Sequence, residues 1–523
     1  MSTPTTRLPL MLTAVAISTA NFMNILDTTI AVVSLPAISG SLGATPSQGA
    51  WVLTSYAVCL AIMLPLSGSV IKRYGQIKTF TVAIGLFTLT SCLCGMATNF
   101  ETLIFFRALQ GLSSGLIVPL SQTVLLRIFP PQQHGFALGL WALTSGVAPV
   151  LGPIIGGFIT DTIGWPWIFY MNVPVGVFCA WVVWASMKHD ESEIKKEPID
   201  VVGMLLLAIV VLLAQLVMDK GHELDWLGSP EIRLMLNIAV IAFIAFIVWE
   251  RREPHPIVDY TLLKIPSFVI CSIIAAIFYI SYYTTTVLYP IWMQSVLGYT
   301  ATWAGLAMAG TSLVPIFGML IVGKHLAKLN LRHLMIVGSG FIAYGIYLQA
   351  QCTVETTFSS MFYARVIMGI GFAFMFPPLM ALSLIGVPPE KTPSAAGFFN
   401  FFRMFSSSLG IAIGITVWQN RTVFHRQHLV ENLTPLEAGK DIAFQPLIAL
   451  AGDNEALMWA MAERLSTLQA STLALSDTFM YCALAYIPVV LLTPFIPKRL
   501  PQPPSTKPVA GATDDKELVP AND

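Results

Sequence analysis

Fourteen windows of roughly twenty mostly apolar residues, separated by polar or Gly/Pro breaks, recur along this chain, and no other feature restricts its fold so severely. In hydrocarbon every backbone N–H and C=O must be satisfied within the segment, so a run of this length crosses a bilayer as an α-helix. The spans read 10–32, 50–71, 78–97, 102–125, 135–159, 165–187, 199–218, 231–250, 267–289, 302–323, 332–352, 358–383, 394–418 and 476–497. Composition agrees: 55% of residues are hydrophobic and 11% charged, against about 25% charged in soluble domains. An all-α membrane protein with 14 transmembrane helices is expected. The first run holds Asn21, Asn24 and Asp27 and lacks a small-residue cleavage pattern, so it reads as a retained helix. All seven cysteines fall in or beside apolar runs, as small core residues rather than disulfides or metal ligands.

Basic residues orient the helices. With the N-terminus taken as cytoplasmic, the inner segments hold Arg7, Lys72, Arg73, Lys78, Arg127, Lys188, Arg251, Arg252, Lys264, Lys391 and Arg499 among others, whereas the short outer loops hold only Lys220 and Arg233. This is a positive-inside pattern, and an even helix count returns the C-terminus to the cytoplasm. Arg107, Gly111, Pro119, Gly152 and Gly156 recur 258 residues later as Arg365, Gly369, Pro377, Gly410 and Gly414. Five matches at one offset argue for a duplicated six-helix unit, a transporter plan of two parallel repeats. Helices seven and eight are then an insertion. The expected domains are an N-terminal six-helix half 1–187, a linker with the inserted pair 188–265, a C-terminal six-helix half 266–497 with an outside loop 420–475, and a disordered cytoplasmic tail 498–523. Within that loop, 455–470 repeats apolar residues at helical spacing; a hairpin on the outer surface and a protein contact are both open.

Leu140 to Ile159 carries no charge yet holds Gly146, Gly152, Gly156 and Gly157 with Pro149 and Pro153. In lipid, small residues four apart admit a close neighbour, and packing re-satisfies carbonyls freed by proline. A kinked, tightly packed helix is expected, either gating or merely packing. Each ionisable group inside the bilayer costs about 2.5–3.5 kcal/mol on insertion scales and is a functional candidate. Asn21, Asn24 and Asp27 lie three apart, roughly on one face of helix one. Leu10 to Asp27 rises about 26 Å, placing Asp27 toward the outer side, and Arg107 lies about 6 Å in from the outer end of helix four. At comparable depth, opposite charge and burial act in opposite senses on a carboxylate, which suits proton exchange; a helix-end acid and a structural arginine are the competing readings.

In the second half, Arg403 falls near the bilayer middle with Asn400 three residues before it, facing a central cavity or tying two helices together. Arg365 copies Arg107 and is either functional or a structural remnant. Asn172, Gln110 and Gln215 line the cavity or bond across helices. Asp219 is expected as an exposed acid at the outer end of helix seven. Trp141 and the run Phe398 to Phe402, Phe399 included, are assigned to a substrate-facing wall, and a cavity rich in Phe and Met suits hydrophobic, variable ligands. The sequence holds no glycine-rich phosphate loop with a lysine, no clustered His/Cys pattern and no nucleophile elbow. Catalysis, a cofactor, a metal and a nucleic-acid partner are therefore not expected, and an ion gradient is left as the driving force.

Leu26-Asp27-Thr28-Thr29-Ile30 with Leu35-Pro36, the loop segment Gly68 to Phe80, Arg107-Ala108-Leu109-Gln110-Gly111, and Ala148-Pro149 to Gly156-Gly157 form an ordered set of motifs, extended by Trp167 to Pro174 and Asp219 to Trp226. The set resembles the major facilitator superfamily, specifically its fourteen-helix drug:proton antiporters, and is very like the Emr-type multidrug efflux permeases of Gram-negative bacteria. Two positions depart: Lys72 stands where the loop motif usually has aspartate, and Val32 where the first-helix motif usually has asparagine. The resemblance implies a major facilitator fold and proton-coupled export of hydrophobic toxic compounds across the cell inner membrane. It also implies work with a periplasmic adaptor (membrane fusion) protein and a TolC-type outer-membrane channel. Export of one metabolite, such as a siderophore or fatty acid, and a non-transporting receptor or scaffold are the alternatives.

Overall fold

The computed structural model of the chain describes residues 10–497 apart from 131–132, 192–193, 195–199, 222, 255–256, 258–259, 326–328, 389–390, 432–444 and 452–453. Among the described residues, 14 helices are long and apolar enough to cross a membrane. They begin as α1 (Leu10–Ser41), α2 (Trp51–Tyr74), α3 (Gln76–Gly95), α4 (Phe100–Ile128), α5 (His134–Thr162) and α6 (Asn172–Met187). The inserted pair α7 (Val201–Lys220) and α8 (Pro230–Glu250) follows. The second set is α9 (Pro266–Ser295), α10 (Ala301–His325), α11 (Leu331–Ala350), α12 (Phe358–Ser383), α13 (Thr392–Glu431) and α14 (Glu455–Leu484), the last continued by Tyr486–Leu492.

Helix ends differ from the sequence expectation where prolines were read as breaks. Pro36 lies inside α1 and Pro290 inside α9. Near both, the Gln294 side-chain amide donates to the Val33 carbonyl at 2.9 Å and to the Pro290 carbonyl at 3.1 Å, tying α9 to α1. The outer segment expected as a loop over 420–475 is largely helical continuation. At 40 residues, α13 is about 60 Å long, twice a hydrocarbon core of about 30 Å, so its end and the start of α14 extend past the membrane. Arg421 and His425 pair with Asp477 at 2.6 and 2.7 Å, and Arg426 with Glu463 at 2.6 Å, joining the two extensions. Much of the linker after Met187 and the whole tail 498–523 lie outside the described residues. The seven cysteines are free, six of them buried and Cys92 half-buried, as expected of core residues.

The end of the bundle where α1 begins is called proximal here, the other distal. One apolar cluster runs through the C-terminal half and joins the distal part of the N-terminal half, from Ile30 to Leu35 on α1. Toward the proximal end the N-terminal half keeps its own core, around Ile17, Phe80 and Val183, touched from α13 by Met404. Helix α5 packs on α1 within its own half and on α10 of the other. Its glycines make both contacts possible. A Cβ on Gly156 would meet Ile30, and one on Gly157 would lie 2.6 Å from the Ala301 carbonyl carbon and 2.7 Å from Thr302 Cα. At the same seam Asp161 accepts from the Ala301 and Thr302 amides at 3.2 and 2.7 Å and from the Thr302 hydroxyl at 2.5 Å. The halves therefore meet through backbone at the distal end. Helix α7 packs on α8 and reaches both halves, touching α2 and α13.

Candidate functional site

Asp27 sits deeper than its distance from Leu10 implied, because α1 continues nine residues past position 32, to Ser41. Helix α4 likewise starts at Phe100, capped by the Asn99 side chain, which moves Arg107 inward. Both side chains are fully buried and form an ion pair at 2.6 Å between Arg107 Nη1 and Asp27 Oδ2. The other carboxylate oxygen accepts from Asn172 Nδ2 at 2.8 Å and Gln110 Nε2 at 3.2 Å. Four helices thus converge on one carboxylate: α1 carries it, α4 supplies Arg107 and Gln110, α6 supplies Asn172, and α2 closes the back.

Each donor is itself held. Arg107 also donates to the Gln110 Oε1 at 2.7 Å and, through Nε, to the Val52 carbonyl at 3.1 Å. Its guanidinium lies over the Tyr56 ring at 4.3 Å and the Phe169 ring at 5.5 Å, while Nη2 is buried with no hydrogen-bond partner. Asn172 donates to Ser91 at 3.1 Å, and Ser91 to the Phe169 carbonyl at 2.9 Å. A buried pair of this kind is tolerated only when its remaining donors and acceptors are satisfied, and removing one partner strands the other's charge. Chemically, the centre is a carboxyl group held by one guanidinium and two side-chain amides, able to bind or release one proton. Neutralising the carboxylate would leave Arg107 as an uncompensated buried cation.

The other sequence candidates distribute as follows. Asn24 is buried, its carbonyl oxygen accepting from Tyr56 Oη at 3.0 Å and from Ser114. One turn toward the proximal end, Asn21 donates to Ser145 at 2.8 Å, and Trp141 Nε1 donates to Ser121 at 3.0 Å. Trp141 is half-buried beside this chain of contacts. Phe399 is 1% exposed and belongs to the apolar core, so in this conformation it is no cavity wall; along α13 the rings at 398, 401 and 405 stack on each other instead. Asn400 bonds back to the Ala396 carbonyl at 2.9 Å and is no partner of Arg403. Arg403 is half-buried, its guanidinium 5.7 Å from the Tyr279 ring centroid and its Nε without a hydrogen-bond partner.

The repeat makes the asymmetry of the halves explicit. At the 258-residue offset Asp27 falls on Thr285. Arg365, fully buried like Arg107, donates to the Thr285 carbonyl at 2.5 Å and lies 4.7 Å from the Tyr289 ring centroid. No carboxylate pairs with it among the described residues. Gly410 and Gly414 on α13 pack against Ile280 and Thr284 of α9, as Gly152 and Gly156 of α5 pack against α1. Gly146 meets only Ile316, at 3.9 Å, across the halves. Asp219, expected as an exposed acid, is half-buried instead, accepting from Thr54 at 3.0 Å and Gln215 at 2.9 Å, because α7 packs onto α2.

The profile of the Major Facilitator Superfamily matches residues 17–411. The chain is a member of that superfamily. It is 40% identical to the multidrug export protein EmrB of Haemophilus influenzae over 429 residues, covering 82% of this chain and 84% of that one. It is 38% identical to the fatty acid resistance protein FarB of Neisseria gonorrhoeae, over 80% of this chain and 83% of that one. Within the superfamily it is of the Emr type, a multi-pass transporter and not an enzyme. A crystal structure of a bacterial homolog of the human lysosomal transporter Spinster, in an inward-facing and unoccupied conformation, covers 96% of this chain and 100% of its own at TM-score 0.58 and 15% identity, a likeness of fold alone.

Sequence reasoning missed Tyr56, Ser91 and Ser114, which hold the pair's surroundings. Each is a hydroxyl in an otherwise apolar membrane helix, a signal available in the sequence but shared with many serines that merely bond their own helix, such as Ser113.

Proposed function

We propose that this protein exports hydrophobic toxic compounds in exchange for protons, with Asp27 as the proton-binding group and Arg107 as the cation it releases on protonation. The observation that carries the reading is the buried Asp27–Arg107 pair, at 2.6 Å and 0% exposure for both side chains, with Gln110 and Asn172 completing the carboxylate's coordination. Protonation from the distal side would free Arg107 and loosen α4 and α6 from α1. Closure of the distal seam along α5 and α10 would then favour the state open toward the proximal side, where the next compound is taken up. On this account the proton gradient is the energy source and no cofactor is involved.

The proximal face is assigned to the cytoplasm, with both termini there and the bundle in the cell inner membrane; the excess of Lys and Arg in the proximal segments supports it. Family likeness supports partnership with a periplasmic adaptor and a TolC-type outer-membrane channel. The decisive experiment is uptake of a fluorescent hydrophobic compound by inside-out membrane vesicles energised with a proton gradient. Uptake that collapses when an ionophore dissipates the gradient supports the reading, and uptake indifferent to the gradient overturns it.

A second reading, export of an amphipathic carboxylate such as a fatty acid, is favoured by Arg403. That half-buried cation has an unpartnered Nε and, among the described residues, no carboxylate paired with it, and the FarB relative is a fatty acid resistance protein.

A further inference from the structure

The acid at the end of α7 is left unused by this mechanism. Asp219 stands where three bodies meet: the N-terminal half through α2, the C-terminal half through α13, and the inserted pair. Its Oδ2 accepts from Thr54 Oγ1 on α2 at 3.0 Å, and its Oδ1 from Gln215 Nε2 at 2.9 Å. It faces a narrow cleft whose opposite wall is Ile415, Thr416 and Gln419 of α13. That cleft lies at the distal end, and Asp219 is half-buried within it, open to protons from the distal solution.

Counting hydrogens shows what the cluster lacks. Thr54 and Gln215 are 1% and 4% exposed, and the Oε1 of Gln215 is buried with no donor. The carboxylate's two oxygens receive one hydroxyl and one amide donor, fewer than the roughly four lone-pair sites of an ionised carboxylate take up in water. Protonated, Asp219 needs fewer donors than it does as an ion. Charge points the same way. On its own element Lys220 forms no ion pair with Asp219, its Nζ lying 5.5 Å from the Trp51 ring centroid, and Glu223 in the next turn lines the same cleft as a second acid. Helix α2 presents Trp51 and Thr54 and α13 presents Thr416 and Gln419. Glu231 and Arg233 at the start of α8 are exposed, and Arg421 further along α13 is paired with Asp477. No cation among these compensates an ionised Asp219 in the closed cleft; ionised, it is better satisfied by water, which requires α13 to draw away from α2.

We propose that Asp219 is a second proton-binding carboxylate, loaded from the distal face, whose protonation holds the distal end closed through Thr54. The proposal rests on the reading of this chain as a proton-driven exporter, and adds to it a reason for directionality: the same distal acidity that loads Asp27 also closes the gate behind it.

The test is a distance measurement across the distal end of the full-length protein in lipid nanodiscs. Spin labels are placed by Thr98→Cys and Gln351→Cys, exposed distal loop positions in the two halves, with the native cysteines replaced by alanine. As pH rises, the population at short separation is expected to give way to one at longer separation. That response should survive in Asp27→Asn, vanish in Asp219→Asn with the short separation kept at every pH, and return in Asp219→Glu. Thr54→Val, which keeps the carboxylate but cuts its link to α2, should also abolish the response, so a poorly folding Asp219→Asn leaves the test intact. A response that persists in both Asp219→Asn and Thr54→Val, one that requires Asp27, or none in wild type overturns the proposal. Failure here is separable from failure of the transport reading, because wild-type proton-driven uptake in vesicles would remain if only the Asp219 assignment were at fault.

Discussion

Gly157→Ala places one methyl group at the seam where the halves touch. The added Cβ would lie 2.6 Å from the Ala301 carbonyl carbon and 2.7 Å from Thr302 Cα, about 1 Å inside ordinary contact, and both neighbours are backbone that no rotamer change can move. Overpacking of this kind costs about 1–3 kcal/mol. The whole cost falls on the state in which α5 and α10 meet. The gain in helix propensity from replacing glycine, about 1 kcal/mol, is common to every conformation and cancels. The ratio of distally closed to distally open protein should therefore fall by roughly 5- to 150-fold. Distances between spin labels on the distal loops of the two halves read that ratio directly, and vesicle uptake should slow with it. Gly146→Ala is the control: its Cβ would meet only a side-chain carbon of Ile316 at 3.9 Å, and the distribution should not change. If Gly157→Ala leaves the closed population within about twofold of wild type, the backbone seam is not the distal gate.

Other outcomes follow from the site. Arg107→Lys keeps the charge but loses the Nε bond to Val52 and the stacking over Tyr56, and should cost about 1.5–3 kcal/mol, seen as a lower melting temperature together with loss of uptake. Tyr56→Phe keeps the ring under the guanidinium and removes only the hydroxyl bonded to Asn24 and Ser114; about 1 kcal/mol of stability should go, with uptake largely preserved. Asp161→Asn weakens the carboxylate contact with the first amides of α10, worth about 0.3–1 kcal/mol at an exposed helix start, and should lower the closed population by about two- to fivefold. Arg403→Gln should raise the KM for amphipathic carboxylates while leaving neutral compounds unaffected, read by competition against the fluorescent compound.

The sequence showed the fold through chemistry that lipid makes obligatory: long apolar runs, basic residues on one side, and five residues repeated at one offset. It showed Asp27 and Arg107 as candidates because ionisable groups in hydrocarbon are rare. What it hid was spatial. Nothing in the spacing of Asn172 or Tyr56 says that α6 and α2 turn those residues toward α1. Asp219 looked like a solvated helix end because the packing of the inserted pair against α2 has no counterpart in the repeat. The reach of α13 and α14 beyond the membrane was obscured by the polar residues of their extensions, whose pairs, such as Arg421 with Asp477, join positions distant in sequence.

The central claim is that one carboxylate couples protons to export. Its most direct test is proton release from proteoliposomes holding an imposed pH gradient, recorded on adding a panel of hydrophobic compounds, with wild type and Asp27→Asn side by side. The account predicts compound-triggered proton flow in the wild type and none in Asp27→Asn, while the variant still binds the compounds. Proton flow of wild-type size in Asp27→Asn would contradict it and move coupling to another group.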